Sequence, residues 1–153
     1  MLLVPTFIET SHIPNAGKGL FTKGPILKCK TVMIPNDKNI LYPQQELAKF
    51  SLESIEQQSS VRWFEDIYTV DPEFSSESHL NHSFDPNLLW HLGFAFARRD
   101  IKAGEELTID YSHLLGENDS LDIRDSITGK MITGISFQKK MVKSAFELLA
   151  LFQ

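Results

Sequence analysis

Proline and glycine interrupt the first 35 residues so often that no helix of useful length fits there. Pro5, Pro14, Gly17, Gly19, Gly24, Pro25 and Pro35 divide the stretch from Leu3 to Ile34 into short apolar runs. Proline removes the backbone donor a helix needs, and both residues favour turns. Short strands joined by turns are therefore expected. Residues 61–70 carry Trp63, Phe64, Ile67, Tyr68 and Val70 and read as a strand, and 88–97 reads as an aromatic-rich strand. In 106–112, Leu107, Ile109 and Tyr111 alternate with Thr108 and Asp110, the period of a strand.

Residues 43–60 differ in texture. Pro43 suits the first turn of a helix and is followed by Gln44, Gln45, Glu46, Leu47 and Phe50. One or two short helices are expected there, as an insert between strands. Residues 75–87 are polar and irregular, 98–105 form a turn with Ala103-Gly104 at its tip, and 113–136 read as a loop. The segment 137–152 has helical spacing. Phe137, Met141, Ala145, Leu148 and Phe152 fall on one stripe, while Lys139, Lys140, Lys143 and Glu147 fall off it. A helix docked by that stripe is predicted, which makes the expected fold mainly β with inserted helices and a C-terminal helix.

With 153 residues, the chain is expected to form a single domain over 1–153. Hydrophobic residues make up 42%, eleven of them Phe, which is enough to fill a core and excludes a wholly disordered chain. Cys29 is the only cysteine, so neither a disulfide framework within the chain nor a multi-cysteine zinc site is available. No apolar run approaches the ~20 residues of a membrane span. Residues 1–7 lack the basic start of a secretory leader, so a cytoplasmic protein without a membrane partner is expected. A net charge of -5 argues against direct nucleic-acid binding and fits a cationic partner.

General catalytic signatures are missing. Gly17-Lys18-Gly19 has no third glycine at the dinucleotide spacing, Gly129-Lys130 is followed by Met131 rather than Ser or Thr, and no Gly-x-Ser-x-Gly occurs. The densest polar cluster is His79, Asn81, His82, Ser83, Asp85 and Asn87. His79, His82 and Asp85 are ligand types for a metal. However, their spacing of three does not gather them on a strand, and Pro86 breaks a helix. An Asx-rich turn is the plainer reading.

The wording of that cluster says more than its spacing. Asn81-His82-Ser83-Phe84-Asp85-Pro86-Asn87 is followed, after the aromatic stretch, by Gly104-Glu105-Glu106-Leu107-Thr108-Ile109-Asp110-Tyr111, and Gly17-Lys18-Gly19-Leu20-Phe21 lies upstream. In this order and spacing the three motifs resemble the SET-domain protein lysine methyltransferases. The resemblance covers about 7–112, with 43–60 as the helical insert and 113–153 as a closing tail. It implies small curved sheets around a knot-like chain crossing, the SET-type β-clip fold. It also implies S-adenosylmethionine bound on one face and a substrate lysine entering from the other through a narrow channel. Gly17, Lys18, Gly19 and Leu20 would cradle the cofactor, and Asn81 and His82 match the family's cofactor-binding pair. Tyr111 matches the catalytic tyrosine. The strand around Tyr68 is similar to the one that supplies a second active-site tyrosine, and Trp90 and Ile109 fall where channel residues occur. Phe137, on the closing tail, would stack on adenine.

Such chemistry needs a neutral amine. Free lysine has a pKa of about 10.4, so roughly one in 2,500 is neutral at pH 7, a deficit of about 4–5 kcal/mol. A dry channel lowers that pKa, and a tyrosine hydroxyl orients the amine. The chain departs from the family pattern by lacking the cysteine cluster that closes the channel after the final tyrosine in many members, so closure must come from something else. The expected partner is a lysine-rich protein or peptide, a histone among the options. A catalytically silent SET-like binding module and a metal enzyme using His79, His82 and Asp85 are the alternatives.

Overall fold

Turn chemistry keeps the strands of this protein short. The computed structural model describes residues 1–117 and 119–153, with the side chains of 122 and 123 outside that description. Strands β1 (Thr6–Thr10) and β2 (Lys18–Thr22) pair antiparallel, Ile8 opposite Leu20. After β3 (Thr31–Met33) come β4 (Ile40–Pro43) and two single-turn helices, α1 (Gln44–Leu47) and α2 (Ile55–Gln58). Both helices lie within the insert expected at 43–60, and the Ser54 side chain caps α2 by accepting from the Gln57 amide. Strands β5 (Ser60–Phe64) and β6 (Ile67–Val70) then form a three-stranded sheet in the order β4-β6-β5.

The single strand expected at 61–70 is thus a hairpin, turned at Glu65 with a backbone φ of 46°. The same happens at 88–97. Leu92 and Gly93 both have positive φ, 50° and 86°, the conformation of a tight two-residue hairpin. They separate β7 (Asn81–His82) and β8 (Leu88–His91) on one side from β9 (Phe94–Ala97) on the other, and β3, β9 and β8 make a sheet. The strand expected over 106–112 shrinks to β10 (Thr108–Ile109), because the Asp110 carboxylate accepts from the Ser112 amide and winds Tyr111–His113 into a 3-10 turn. The expected loop at 113–136 contains a hairpin of β11 (Ser120–Arg124) and β12 (Met131–Thr133).

The last helix, α3 (Phe137–Phe152), has the predicted bounds and a different buried face. Lys140, Ser144 and Leu151 are buried, whereas Ala145 and Phe152 of the predicted stripe are exposed. Polar residues are tolerated inside because they have partners: Lys140 Nζ donates to the Arg62 carbonyl at 2.7 Å, and the Ser144 hydroxyl meets His91 Nδ1 at 2.9 Å and donates to the Lys140 carbonyl. Val142, Phe146 and Leu149 face water instead.

The main core joins Leu20, Val32, Leu80, Leu88, Trp90, Ile101, Leu107 and Ile109 from elements far apart in sequence. A smaller cluster of Leu47, Tyr68 and Val70 sits under the insert. No helix among the described residues is long and apolar enough to cross a membrane.

Candidate functional site

Two of the three sequence motifs meet where β7 and β10 lie side by side in parallel, Asn81 beside Thr108 and His82 beside Ile109. The pairing is extended by the Ser83 amide, which donates to the Ile109 carbonyl at 3.0 Å. Asn87 fastens it. Its amide donates to the Glu106 carbonyl at 2.8 Å and its Oδ1 accepts from the Thr108 amide at 2.9 Å. A strand of two residues gains its strength from such side-chain bonds, which are buried and fully paired.

Successive residues of an extended chain point to opposite sides. At this crossing the alternation separates two environments. Asn81 faces the glycine motif: its Nδ2 donates to the Lys18 carbonyl at 3.0 Å and to Glu106 Oε1 at 2.8 Å. Glu106 in turn accepts from the Ser11 hydroxyl at 2.7 Å and the His12 amide at 2.8 Å. Gly19 has no room for a side chain, since a Cβ there would collide with the Glu106 carboxylate. Gly17 adopts φ +73° and borders open space. The amide hydrogens of Asn81 are committed inside the protein, and no donor among the described residues takes its Oδ1. A free acceptor beside an open glycine turn fits a ligand that carries an ammonium group, as the amino-acid end of S-adenosylmethionine does.

Leu80 faces the other way, into a cavity of about 850 Å³. Tyr68, Trp90, Ile109, Tyr111 and Leu114 line the same cavity. Four residues singled out from sequence as catalytic or channel residues are thereby brought together. The Tyr111 hydroxyl donates to the Leu80 carbonyl at 2.5 Å. Burial first, and the Glu106 charge second, push its pKa up to about 12. Burial, helped by Asp119, also raises that of Tyr68. The Tyr68 hydroxyl lies so close to Gly116 that a Cβ there would stand 2.7 Å from it. The indole nitrogen of Trp90 is buried without a partner among the described residues.

Other sequence candidates fall elsewhere. Leu20 is 0% exposed within the main core, so its side chain has no surface to offer a cofactor and only its neighbours' backbone borders the open turn. Phe137 is held edge-on by Phe64, with ring centroids 4.8 Å apart, and by the Arg62 guanidinium. It is not gathered with Gly17, Lys18 and Asn81. His79 packs against Phe74 and Asp85 is exposed, and no three His, Cys, Asp or Glu side chains among the described residues stand close enough to hold a metal. His82 is buried, and its Nδ1 accepts from the Tyr111 amide at 3.0 Å. It therefore orients the tyrosine's backbone. Sequence reasoning gave no role to Ser11, Glu106 or Asp125. Glu106 lies inside a quoted motif and was the one with a visible signal.

The SET domain family model matches residues 17–112. Histone-lysine N-methyltransferase SUV39H1-A of Danio rerio is 43% identical over 63 residues, which is 32% of this chain and 15% of that protein. An active polycomb repressive complex 2 in its stimulated state has a similar fold, with TM-score 0.59 at 21% identity over 88% of this chain and 18% of the other. The Chaetomium thermophilum complex scores 0.57 at 18% identity, over 88% and 20% of the two chains. A polycomb repressive complex 2 in an autoinhibited conformation bound to S-adenosylmethionine scores 0.59 at 16% identity, over 95% and 22%. The chain thus spans well under a quarter of the length of these relatives.

Proposed function

The chain belongs to the SET-domain family, and from that premise we propose that it transfers a methyl group from S-adenosylmethionine to a lysine side chain of a protein substrate. The observation that carries the proposal is the alternation at Leu80 and Asn81. It sets a polar, glycine-bordered face and a tyrosine-lined cavity on opposite sides of the chain where it enters β7. S-adenosylmethionine supplies the methyl group as an electrophilic sulfonium. Gly17, Lys18 and Gly19 would hold its amino-acid end with backbone, and Asn81 with Oδ1.

The remaining work falls to the cavity. Leu80, Trp90, Ile109 and Leu114 exclude water and disfavour the substrate's ammonium form, which offsets part of the protonation deficit. Tyr111 stays neutral across the physiological range and is no base. Its proton is committed to the Leu80 carbonyl, which leaves the hydroxyl oxygen to accept from the lysine N–H and aim the nitrogen lone pair. Tyr68 supplies a second hydroxyl on the cavity wall. The acidic chain favours a basic substrate segment, and a histone tail is the first to test, given the curated relative's name.

The test is methyl transfer from labelled S-adenosylmethionine to a histone-tail peptide. Tyr111→Phe should cut turnover roughly a hundredfold, as lost orientation does, with cofactor affinity by calorimetry unchanged. Normal turnover by that variant would remove the role given to the hydroxyl. Cofactor binding without turnover on any lysine-rich substrate would favour a silent binding module.

A further inference from the structure

The tail hairpin carries a residue aimed at the tyrosine turn. Asp125 follows β11 directly and is 4% exposed. Its backbone is fixed by two hydrogen bonds, the amide donating to the Lys130 carbonyl and the carbonyl accepting from the Gly129 amide, each 2.9 Å. Oδ1 is committed, accepting from the Thr128 amide at 2.7 Å and its hydroxyl at 2.5 Å. Oδ2, the carboxylate oxygen left uncommitted by Thr128, lies 3.9 Å from His82 Nε2, beyond hydrogen-bonding distance. That nitrogen is buried and has no hydrogen-bond partner among the described residues, so the carboxylate acts on it across the gap by its charge.

The other ring nitrogen of His82 is spoken for. Nδ1 accepts from the Tyr111 amide, so it carries no proton, and a neutral ring must then carry its proton on Nε2, facing Asp125. We propose that Asp125 is a positioning residue: its carboxylate holds His82 in the Nε2–H tautomer, and that tautomer fixes the backbone of Tyr111. This rests on the reading of Tyr111 as the residue that orients the substrate amine. The charged groups facing His82 are Asp110, beside Tyr111, and Asp125 from the hairpin, with the rings of Phe84 and Tyr111 packed against it. Asp110 is itself tied to α3 by Lys143 at 3.0 Å. The tail therefore grips the tyrosine turn from two sides, which gives this chain, without a zinc cluster, a way of joining its closing segment to its chemistry.

The substitution Asp125→Asn is the informative one. Thr128 keeps the amide oxygen in place of Oδ1, so an NH2 group replaces Oδ2 and confronts a donor. The ring escapes by moving its proton to Nδ1, where it can no longer accept from Tyr111. Nitrogen-15 spectra of the histidine rings should show the Nε2–H form of His82 in the wild type and the Nδ1–H form in the variant. The Tyr111 amide should exchange faster with solvent in the variant. Turnover should fall roughly tenfold to a hundredfold, with the calorimetric affinity for S-adenosylmethionine unchanged. In a His82→Asn background, which keeps an acceptor for the Tyr111 amide and removes the group facing the hairpin, Asp125→Asn should have no added effect on turnover. A wild-type ring protonated on Nδ1 overturns the proposal without any variant, and so does a variant with unchanged tautomer and unchanged turnover. If the wild type methylates no lysine-bearing peptide, the functional reading fails by itself, and the ring tautomer and the Tyr111 amide still decide the positioning claim.

Discussion

Glu106 makes as many side-chain hydrogen bonds as Asn81, the motif residue expected to meet the cofactor. Its carboxylate accepts from Ser11, His12 and Asn81, and Gly19 is held to glycine by its presence. Hydrogen bonds to a buried charged group contribute about 1.5–3 kcal/mol each. Glu106→Ala should therefore lower the unfolding free energy by at least about 2 kcal/mol in denaturant titrations. The same variant should weaken S-adenosylmethionine binding in calorimetry, because Asn81 loses the acceptor that sets its amide. The cavity gathers Tyr68, Tyr111, Trp90 and Ile109, all singled out from sequence, although only Ile109 and Tyr111 stand within a motif. Leu20 is buried, and a motif position does not say whether backbone or side chain does the work. Asp125 was hidden, since its partner lies 43 positions away, from His82 to Asp125, and no local pattern links them.

Elements were legible to the extent that their turns were. The Leu92-Gly93 turn had a glycine to announce it, yet the run of Phe, Leu and Trp around it reads as one strand. The turn at Glu65 carries no glycine at all, although its φ is 46°. The helix α3 shows the opposite failure, with correct bounds and a misplaced face. Hydrophobic spacing put Lys140 outside, and two backbone carbonyls at the end of its long side chain bring it in. Two outcomes follow for this helix. Phe146→Lys, on the side facing water, should change stability by no more than about 0.5 kcal/mol. Ser136→Ala should cost about 1 kcal/mol, because the Ser136 hydroxyl caps α3 by accepting from the Lys139 amide. Thermal unfolding of the two variants side by side checks both.

On the scale of the whole molecule, buried titratable groups set how stability responds to pH. Burial pushes His113 down to about 4, with Lys143 adding to the effect, and burial lowers His82 and His91. Between pH 6.5 and 4 the unfolded chain takes up protons that the folded imidazoles refuse, so stability falls as the solution is acidified. Lys140 is pushed down to about 7 by burial and by Arg62. From pH 7 to about 10 the unfolded lysine still binds a proton that the folded one has released, so this group makes stability rise with pH in that window. Lys140→Met should flatten the rise while leaving the acid-side loss in place, as read from denaturant unfolding at a series of pH values.

The crossing of β7 and β10 also governs when the site can exist. Glu106 reaches back to Ser11 and His12, and Tyr111 rests on Leu80. Pairings between distant parts of a chain are slow to form, because the intervening loop must be closed first. During synthesis, the glycine turn and Asn81 leave the ribosome well before Glu106 and Tyr111 do. Until residues 106–111 emerge, a growing chain can form neither the pairing of β7 with β10 nor the bonds from Asn81 to Glu106 and from Tyr111 to Leu80, so the two sides of this crossing are built together and late rather than piece by piece.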